Sequence, residues 1–470
     1  MQFQVASQLF EETRYREAID AYDLATRADD QGLVTRARKG KLRAALRLAE
    51  FDTALREGQL LTRDGAADPE SLTLFGDALW ARGLFDESEA EYRRALVAAP
   101  DSSRARFGLA RSLVTRTRLD EALGEAQAAL GAAPRDPEIH ALIGHIYERM
   151  RRYDEAVTAF EQYLAFVPNP LDPSNGVFAA KVNLLRAFKG RQPLLLEGED
   201  RGAPVAYRIP FKLVNKKIVV PGRLNNTNVE LVLDTGSERT GISRDTARRA
   251  GIATVASTLT AGVGPAALSR LALGRAERLE IGRFRMRNVP VAIRNPGLTP
   301  LPRWQSESFS PLALGMSAVV DYQRRELTLA RALPEATSDI HLPMRLNRLP
   351  MVRGMLNSRH PAYFIVDTGG EMISISAETM SGLSMPLPSR RIALRVYGMS
   401  GVDAQAYLMP GIDLDFDTIE YRKVGLAVLN LRAPSVLLGF QLGGIVGHKF
   451  LGEYRVAMDM GRSELRLDRF

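Results

Sequence analysis

Two aspartates lie where a carboxylate could do chemistry. Asp234 and Asp367 each begin an Asp-Thr-Gly triplet, and each follows an apolar run (residues 231–233 and 364–366) that is typical of a buried strand. A carboxylate at the end of a buried strand is costly unless it is paired or hydrogen-bonded. Two carboxylates at hydrogen-bond distance share one proton. One can then act as a general base while the other acts as a general acid.

The residues that follow each aspartate suit a tight loop. Glycine allows a sharp turn and close approach of two backbones, and the threonine hydroxyl can bond across to a partner backbone. The predicted active-site loops contain Thr235, Gly236 and Ser237 in the first copy and Thr368, Gly369 and Gly370 in the second.

The chain around these loops has the pattern of strands. From about residue 206 the apolar residues alternate in short runs bounded by Gly, Pro and Asn, which indicates an all-β region. Residues 209–243 parallel residues 342–376, and residues 312–329 parallel residues 444–467. We therefore expect two copies of one β unit.

This arrangement resembles the aspartic peptidases of the retropepsin and pepsin type over essentially all of residues 206–470. In that family an apolar-apolar-Gly motif follows each Asp-Thr-Gly triplet at some distance. Here Leu314-Gly315 follows the first triplet and Val446-Gly447 follows the second. The resemblance implies a two-lobed acid protease fold in which these motifs support the active-site loops and the two aspartates are catalytic.

The same resemblance implies a function. We expect an aspartic endopeptidase that hydrolyses a protein or peptide substrate with a water held between the two carboxylates, and with no cofactor and no metal. Sharing of one proton is the established behaviour of such pairs, and it implies a bell-shaped pH profile with an acidic optimum. The lobes should pack about a pseudo-twofold axis within a monomer, although pairing between two chains is an alternative.

Members of this family close a hairpin flap over the substrate. Segments 260–268 and 396–404 are the candidates, and an ordinary hairpin turn is the alternative interpretation of each. The residues that would form the mobile turns are Gly262, Gly264, Tyr397, Gly398 and Gly401.

Two departures from the family pattern leave a second function open. Gly370 replaces the Ser or Thr whose hydroxyl helps to hold the outer carboxylate oxygen, whereas Ser237 can still do so for Asp234. The first copy also has about six fewer residues after Gly315, which predicts abbreviated terminal strands. The alternative is a catalytically silent, peptide-binding adaptor with degenerate protease lobes.

The first third of the chain repeats with a period of about 34 residues. The markers of this period are Asp86, Asp120 and Asp154, each before a Glu, and Pro100, Pro134 and Pro168. The pattern resembles the tetratricopeptide repeat. About five units fit between residues 5 and 168, and residues 176–190 form an amphipathic capping helix. Such an array either offers a groove to a partner peptide or acts as a rigid spacer.

These patterns together predict a multidomain chain, with an all-α solenoid before the all-β lobes. The predicted regions are a repeat domain with its capping helix at 1–190, a linker at 191–205, the first lobe at 206–335 and the second lobe at 336–470.

Composition excludes several classes of function. The 470 residues carry a formal net charge of +8 and no cysteine, which excludes disulfides, thiolate nucleophiles and cysteine-ligated metals. The basic residues are dispersed, so we expect no nucleic-acid partner. No apolar run reaches the roughly 18 residues of a transmembrane helix. No signal peptide is visible, so the compartment is unknown: cytoplasmic, or periplasmic or secreted if a precursor was trimmed.

Three further patterns in the sequence have ordinary structural explanations. Residues 262–267 match a dinucleotide-binding fingerprint but lack its βαβ context. His140 and His145 do not share a helix face, so we expect no metal site there. Glu238 and Glu371 follow the two triplets and are expected to face solvent or substrate.

Overall fold

The computed structural model describes residues 1–63, 68–169, 175–198, 206–264, 268–294, 307–386, 391–398 and 401–470. Within these ranges, five helix pairs and a following helix precede the strands, which confirms the predicted repeat array and cap. The array helices are α1 (Gln2–Glu11), α2 (Tyr15–Ala25), α3 (Gln31–Arg47), α4 (Phe51–Thr62), α5 (Pro69–Ala81), α6 (Phe85–Ala98), α7 (Ser103–Thr115), α8 (Leu119–Ala132), α9 (Pro137–Arg149), α10 (Tyr153–Phe166) and α11 (Asn175–Arg186).

Small residues let aromatic rings pack closely inside the array. A Cβ added to Gly76 would come within 2.7 Å of the Tyr92 ring, and one added to Gly144 would come within 2.6 Å of the Phe160 ring. Tyr92 and Phe160 are both completely buried. The period seen in the sequence therefore marks positions where a side chain would push neighbouring helices apart.

The chain divides into two compact units that do not follow the change from helix to strand. The first unit contains residues 1–113, 120–139 and 435–442, and the second contains residues 114–119, 140–434 and 443–470. The second unit thus includes most of α9, all of α10 and α11, and all of the described strands. The domain limits at residues 190, 205 and 335 remain predictions.

The strands of the second unit fall into two halves of similar order. The first half contains β1 (Leu195–Leu196), β2 (Tyr207–Pro210), β3 (Lys212–Val214), β4 (Lys217–Leu224), β5 (Thr227–Leu233), β6 (Thr240–Ser243), β7 (Thr254–Thr260), β8 (Ser269–Ile281), β9 (Phe284–Arg294), β10 (Ser308–Phe309), β11 (Ser317–Asp321), β12 (Glu326–Ala330) and the helix α12 (Arg244–Arg249). The second half contains β13 (Ile340–Asn347), β14 (Leu349–Leu356), β15 (His360–Val366), β16 (Ile373–Ser376), β17 (Ile392–Ala393), β18 (Val396–Gly398), β19 (Gly401–Asp403), β20 (Tyr407–Phe416), β21 (Ile419–Leu429), β22 (Gly444–Val446), β23 (Tyr454–Asp459), β24 (Glu464–Arg469) and the helices α13 (Ala377–Gly382), α14 (Arg432–Leu438) and α15 (His448–Leu451).

Each half places its Asp-Thr-Gly triplet at the end of a central strand. In the first half β5 lies between β4, which is antiparallel to it, and β10, which is parallel. In the second half β15 lies in the same way between β14 and β22. A strand with neighbours on both edges is held rigidly, so both triplets begin at fixed points.

A shared sheet joins the two halves. Strand β11 of the first half pairs antiparallel with β23 of the second, with Val319 opposite Ala457. The described strands β13, β24, β23, β11, β12 and β2 lie side by side in this sheet. One hydrophobic cluster runs through both halves and includes Leu233 and Val366, the residues that precede the two triplets.

In the described part of the chain, none of the helices combines the length and the hydropathy needed to cross a bilayer.

Candidate active site

The structure brings Asp234 and Asp367 together. The Asp234 N–H donates to the Phe309 carbonyl at 2.9 Å, and the Asp367 N–H donates to the Val446 carbonyl at 3.0 Å. A Cβ on Gly369 would lie 2.8 Å from Oδ1 of Asp234 and 3.0 Å from Oδ1 of Asp367, so the two carboxyl groups approach the same glycine. Each loop glycine also faces the opposite aspartate: a Cβ on Gly236 would lie 2.5 Å from Cγ of Asp367. Glycine is therefore required there by the close approach of the two loops.

The element that supports Asp234 differs from the prediction. Phe309 lies opposite Leu233 in the parallel pair β10–β5, as Val446 lies opposite Val366 in β22–β15. Leu314 and Gly315 instead end a 3-10 turn, where Gly315 has φ 68°. The prediction that these two residues support the Asp234 loop was wrong, because the supporting strand is β10, which contains no glycine.

The terminal strands of the two halves also differ less in length than the sequence predicted. The residue after Phe309 is Ser310, where the second half has Gly447 after Val446. The turn Leu312–Leu314 then occupies the place of α15, and β11 and β12 have five residues each, against six each in β23 and β24. The terminal strands of the first half are therefore nearly full length.

Thr235 and Thr368 exchange hydrogen bonds between the halves. The Thr235 hydroxyl donates to the Val366 carbonyl at 2.6 Å and accepts from the Thr368 N–H at 3.0 Å. The Thr368 hydroxyl donates to the Leu233 carbonyl at 2.9 Å and accepts from the Thr235 N–H at 3.2 Å. Both side chains are buried. These four bonds fix the two aspartate loops against each other.

The environment of the pair favours a shared proton. Burial and the adjacent Asp367 carboxylate raise the pKa of Asp234 to about 7, although the charges of Arg294 and Lys217 oppose this rise. Burial also raises the pKa of Asp367, while the Gly369 N–H, which donates to its Oδ1 at 2.7 Å, favours the ionised form. Two such carboxyls retain one proton over a wide range of pH.

Lys217 is a buried cation next to this pair, and no pattern in the sequence pointed to it. It begins β4, and its Nζ donates to the Gly369 carbonyl in the opposite half. The ammonium lowers the pKa of both aspartates relative to burial alone. Lys217 thus holds the second loop and limits how strongly the pair binds its proton.

One prediction about the loop flanks was wrong. The Ser237 hydroxyl donates to the Arg239 carbonyl at 2.9 Å, so it closes its own turn and does not hold Asp234. The Glu238 side chain is partly exposed, and Arg348 of the second half binds it through two nitrogens at 2.9 and 2.8 Å. Burial would raise the pKa of Glu238, but Arg348 holds it below the ordinary value.

Gly370 leaves little space beside the second aspartate. Its N–H donates to the Asp367 carbonyl at 3.1 Å. A Cβ at this position would lie 3.0 Å from Oδ2 of Asp367. A larger residue would therefore require a small shift of the loop, and the effect of Gly370 on activity remains a prediction.

The two flap candidates are hairpins whose ends meet. The first is β7–β8, whose described turn includes Gly262 and Gly264, and the second is β18–β19, with Tyr397 and Gly398 on one strand and Gly401 on the other. A Cβ on Gly398 would lie 2.2 Å from the Val263 carbonyl, so the two backbones touch. Tyr397 is 65% exposed. Residues 265–267 and 399–400, at the turns, lie outside the described residues.

The histidines of the array lie among aromatic rings. His140 packs on Phe166, and His145 lies between Phe160 and Phe178. Across the part of the chain that the structure describes, no group of three or more His, Cys, Asp or Glu is placed to hold a metal ion.

Known families match two parts of the chain. The family described as aspartyl protease matches residues 220–318, which include Asp234 and Phe309 but not Asp367. Two families described as tetratricopeptide repeat match residues 73–137 and 137–169.

Similar proteins match the repeat array. A TPR repeat-containing protein of Treponema pallidum (strain Nichols) is 29% identical over 134 residues, which is 28% of this chain and 15% of that protein. The chain thus spans only a small part of that relative's length. Among solved structures, a thermophilic TPR protein of Thermus thermophilus has 20% identity and a TM-score of 0.33 over 36% of this chain and 92% of its own. YrrB, a TPR protein with an unusual peptide-binding site, has 18% identity and a TM-score of 0.26 over 36% of this chain and 86% of its own.

Proposed function

We propose that this chain, which carries tetratricopeptide repeats and an aspartyl protease domain, is an aspartic endopeptidase that uses Asp234 and Asp367 as its catalytic pair. The observation that carries the proposal is the close approach of the two carboxyl groups, which the crossed hydrogen bonds of Thr235 and Thr368 hold in place. Burying two acids without a function would cost stability for no return.

The surroundings of the two acids favour different roles for them. The N–H donor on Asp367 stabilises its ionised form, whereas burial and the neighbouring charge keep the proton on Asp234 up to about pH 7. Asp367 would therefore be the base and Asp234 the acid, although the pair titrates as a unit.

The reaction then needs only a water. Asp367 accepts a proton from the water as its oxygen attacks the peptide carbonyl carbon, and Asp234 gives its proton to the carbonyl oxygen. The resulting gem-diol returns a proton to Asp234 as its carbonyl re-forms. Asp367 protonates the leaving nitrogen as the carbon–nitrogen bond breaks. Both carboxyls end in their starting states.

The flap hairpins and the repeat array would supply substrate control. The touching backbones of Val263 and Gly398 suggest two hairpins that part to admit a peptide and close over it. Tetratricopeptide repeats commonly present a groove to a peptide segment. We propose that the array recruits the protein substrate or a partner that delivers it.

The test uses the intact chain with a mixture of diverse peptides from pH 3 to pH 8. We expect cleavage that pepstatin abolishes and that disappears in Asp234→Asn and in Asp367→Asn. Asp245→Asn, which changes an exposed aspartate of α12, is the matched control and should cleave normally. Absence of cleavage by the parent protein at every pH would reject the proposal and favour the adaptor. Full activity of either dyad variant would reject Asp234 and Asp367 as the catalytic pair.

A further inference from the structure

The two halves differ in charge at a pair of matched positions in β9 and β21. In the first half β6 and β9 run parallel, with Gly241 opposite Ala292 and Ser243 opposite Arg294. In the second half β16 and β21 run parallel in the same register, with Ser374 opposite Ala427 and Ser376 opposite Leu429. Arg294 therefore matches Leu429, and Gly241 matches Ser374. The first half has a guanidinium where the second has a buried leucine.

The Arg294 guanidinium fills the space that Gly241 leaves free. A Cβ added to Gly241 would lie 2.0 Å from Nη2 and 2.4 Å from Nε of Arg294. The matching residue in the second half is Ser374, which has a side chain. Glycine at position 241 therefore leaves the space that the arginine fills. Gly241 lies in the strand that follows the Asp234 loop, so the cation lies on the same side of the pair as Asp234.

A hydrogen bond ties this cation to the support of Asp234. Arg294 Nη2 donates to the hydroxyl of Ser308, which is buried. Ser308 precedes Phe309, whose carbonyl accepts the Asp234 N–H. Burial and the Asp367 carboxylate raise the pKa of Asp234, and the charge of Arg294 opposes that rise.

The charge of Arg294 is not neutralised by an ion pair with any acid among the described residues. Within that part of the chain its guanidinium has one hydrogen-bond acceptor, Ser308, and its buried Nε has none. Residues 295–306, which follow it, contain no Asp or Glu. A half-buried guanidinium that has a single acceptor among the described residues is suited to a carboxylate that arrives with a ligand.

We propose that Arg294 is a specificity-determining residue that binds an acidic side chain of the peptide substrate, close to the scissile bond on the side of the first half. This inference rests on the proposed endopeptidase function. The substrate class is a peptide with Asp or Glu near the cleaved bond. The leucine at the matching place in the second half makes the selection one-sided, so the substrate binds in one direction.

The test compares peptides that differ only by Glu, Gln or Lys at one position on either side of the cleaved bond. For one position we expect kcat/KM to be at least about tenfold higher with Glu than with Gln. Arg294→Met should remove this preference mainly through KM, Arg294→Lys should retain part of it, and Arg294→Glu should favour Lys. Arg285→Met, a half-exposed arginine of the same strand, is the matched control and should keep the preference.

Two results separate this inference from the proposed function. Cleavage with no Glu preference at any position, or with the same preference in Arg294→Met, overturns the role of Arg294 and leaves the peptidase intact. If no peptide is cleaved, binding of the same labelled peptides to Asp367→Asn decides the matter by fluorescence anisotropy. Tighter binding of the Glu peptide that is lost on adding Arg294→Met supports the inference, and equal binding of all peptides overturns it.

Discussion

Thr235 and Thr368 each donate a hydroxyl hydrogen bond to the residue that precedes the other's aspartate. Thr235 reaches the Val366 carbonyl at 2.6 Å and Thr368 reaches the Leu233 carbonyl at 2.9 Å. Neither loop completes its own hydrogen bonds, so the geometry of each aspartate depends on the other half. The carboxyl pair can therefore form only when the two halves are folded against each other.

Removal of one of these hydroxyls should affect stability and catalysis together. Thr235→Val keeps the shape of the side chain but leaves the Val366 carbonyl and the Thr368 N–H without their buried partner. We expect the free energy of unfolding to fall by about 1–3 kcal/mol, with a loss of kcat in the fraction that stays folded. Thr235→Ser retains the hydroxyl and is the control. Wild-type stability in the valine variant, measured by urea unfolding, would contradict the role given to the exchange.

Cleavage should have a bell-shaped pH profile, and its upper limb, where activity falls as the pH rises, should lie near neutrality. The pKa of Asp234 is raised to about 7, and that of Asp367 is raised above its ordinary value of 3.8. The pair holds a single proton between these two limits, so the optimum should be mildly acidic. The measurement is kcat/KM against pH for one peptide. A maximum below pH 3, or activity that is constant up to pH 9, would disagree with the site.

Loss of the Lys217 ammonium should move that profile. The charge of Lys217 lowers the pKa of both aspartates, so Lys217→Met should shift the upper limb upward by about 0.5 to 1 pH unit. Lys212→Met, which changes an exposed lysine of β3, should leave the profile unchanged. An unshifted limb in Lys217→Met would mean that Lys217 serves only to hold the Gly369 carbonyl.

The buried acid should reduce stability at high pH. At a pH well below its ordinary pKa of 3.8, Asp234 is protonated in both the folded and the unfolded chain. Above it the unfolded chain loses a proton that folded Asp234 keeps until about pH 7, so stability falls across this interval and then levels off. Asp234→Asn should therefore stabilise the protein by roughly 2–4 kcal/mol at pH 8 and by little at pH 4. Urea unfolding at both pH values gives the comparison, and an equal effect at both would contradict the buried-acid account.

The sequence predicted well the features that repeat locally. The helix pairs were visible because small residues recur where Gly76 and Gly144 meet aromatic rings. The meeting of Asp234 with Asp367 could be expected because both triplets follow apolar strands in matching β units. Each of these signals is carried by residues close together in the chain.

The features that could not be predicted depend on the other half or on strand register. Leu314-Gly315 has the residue types of the expected motif. In the structure, however, Phe309 is the residue that pairs beside the Asp234 loop, and its strand contains no glycine. The partner of Glu238 is Arg348, which lies in the other half. The place of Arg294 against Gly241 depends on the parallel pairing of β6 with β9. A period or a motif cannot reveal contacts of this kind.

The most direct test of the central claim is titration of the intact protein with pepstatin, with peptide cleavage and sedimentation measured in parallel. If the two halves of one chain build one catalytic pair, cleavage should fall linearly to zero at one inhibitor per monomer of 470 residues. Binding should vanish in Asp234→Asn and in Asp367→Asn. Saturation at one inhibitor per two chains, or inhibitor binding that survives the loss of either aspartate, would contradict the claim.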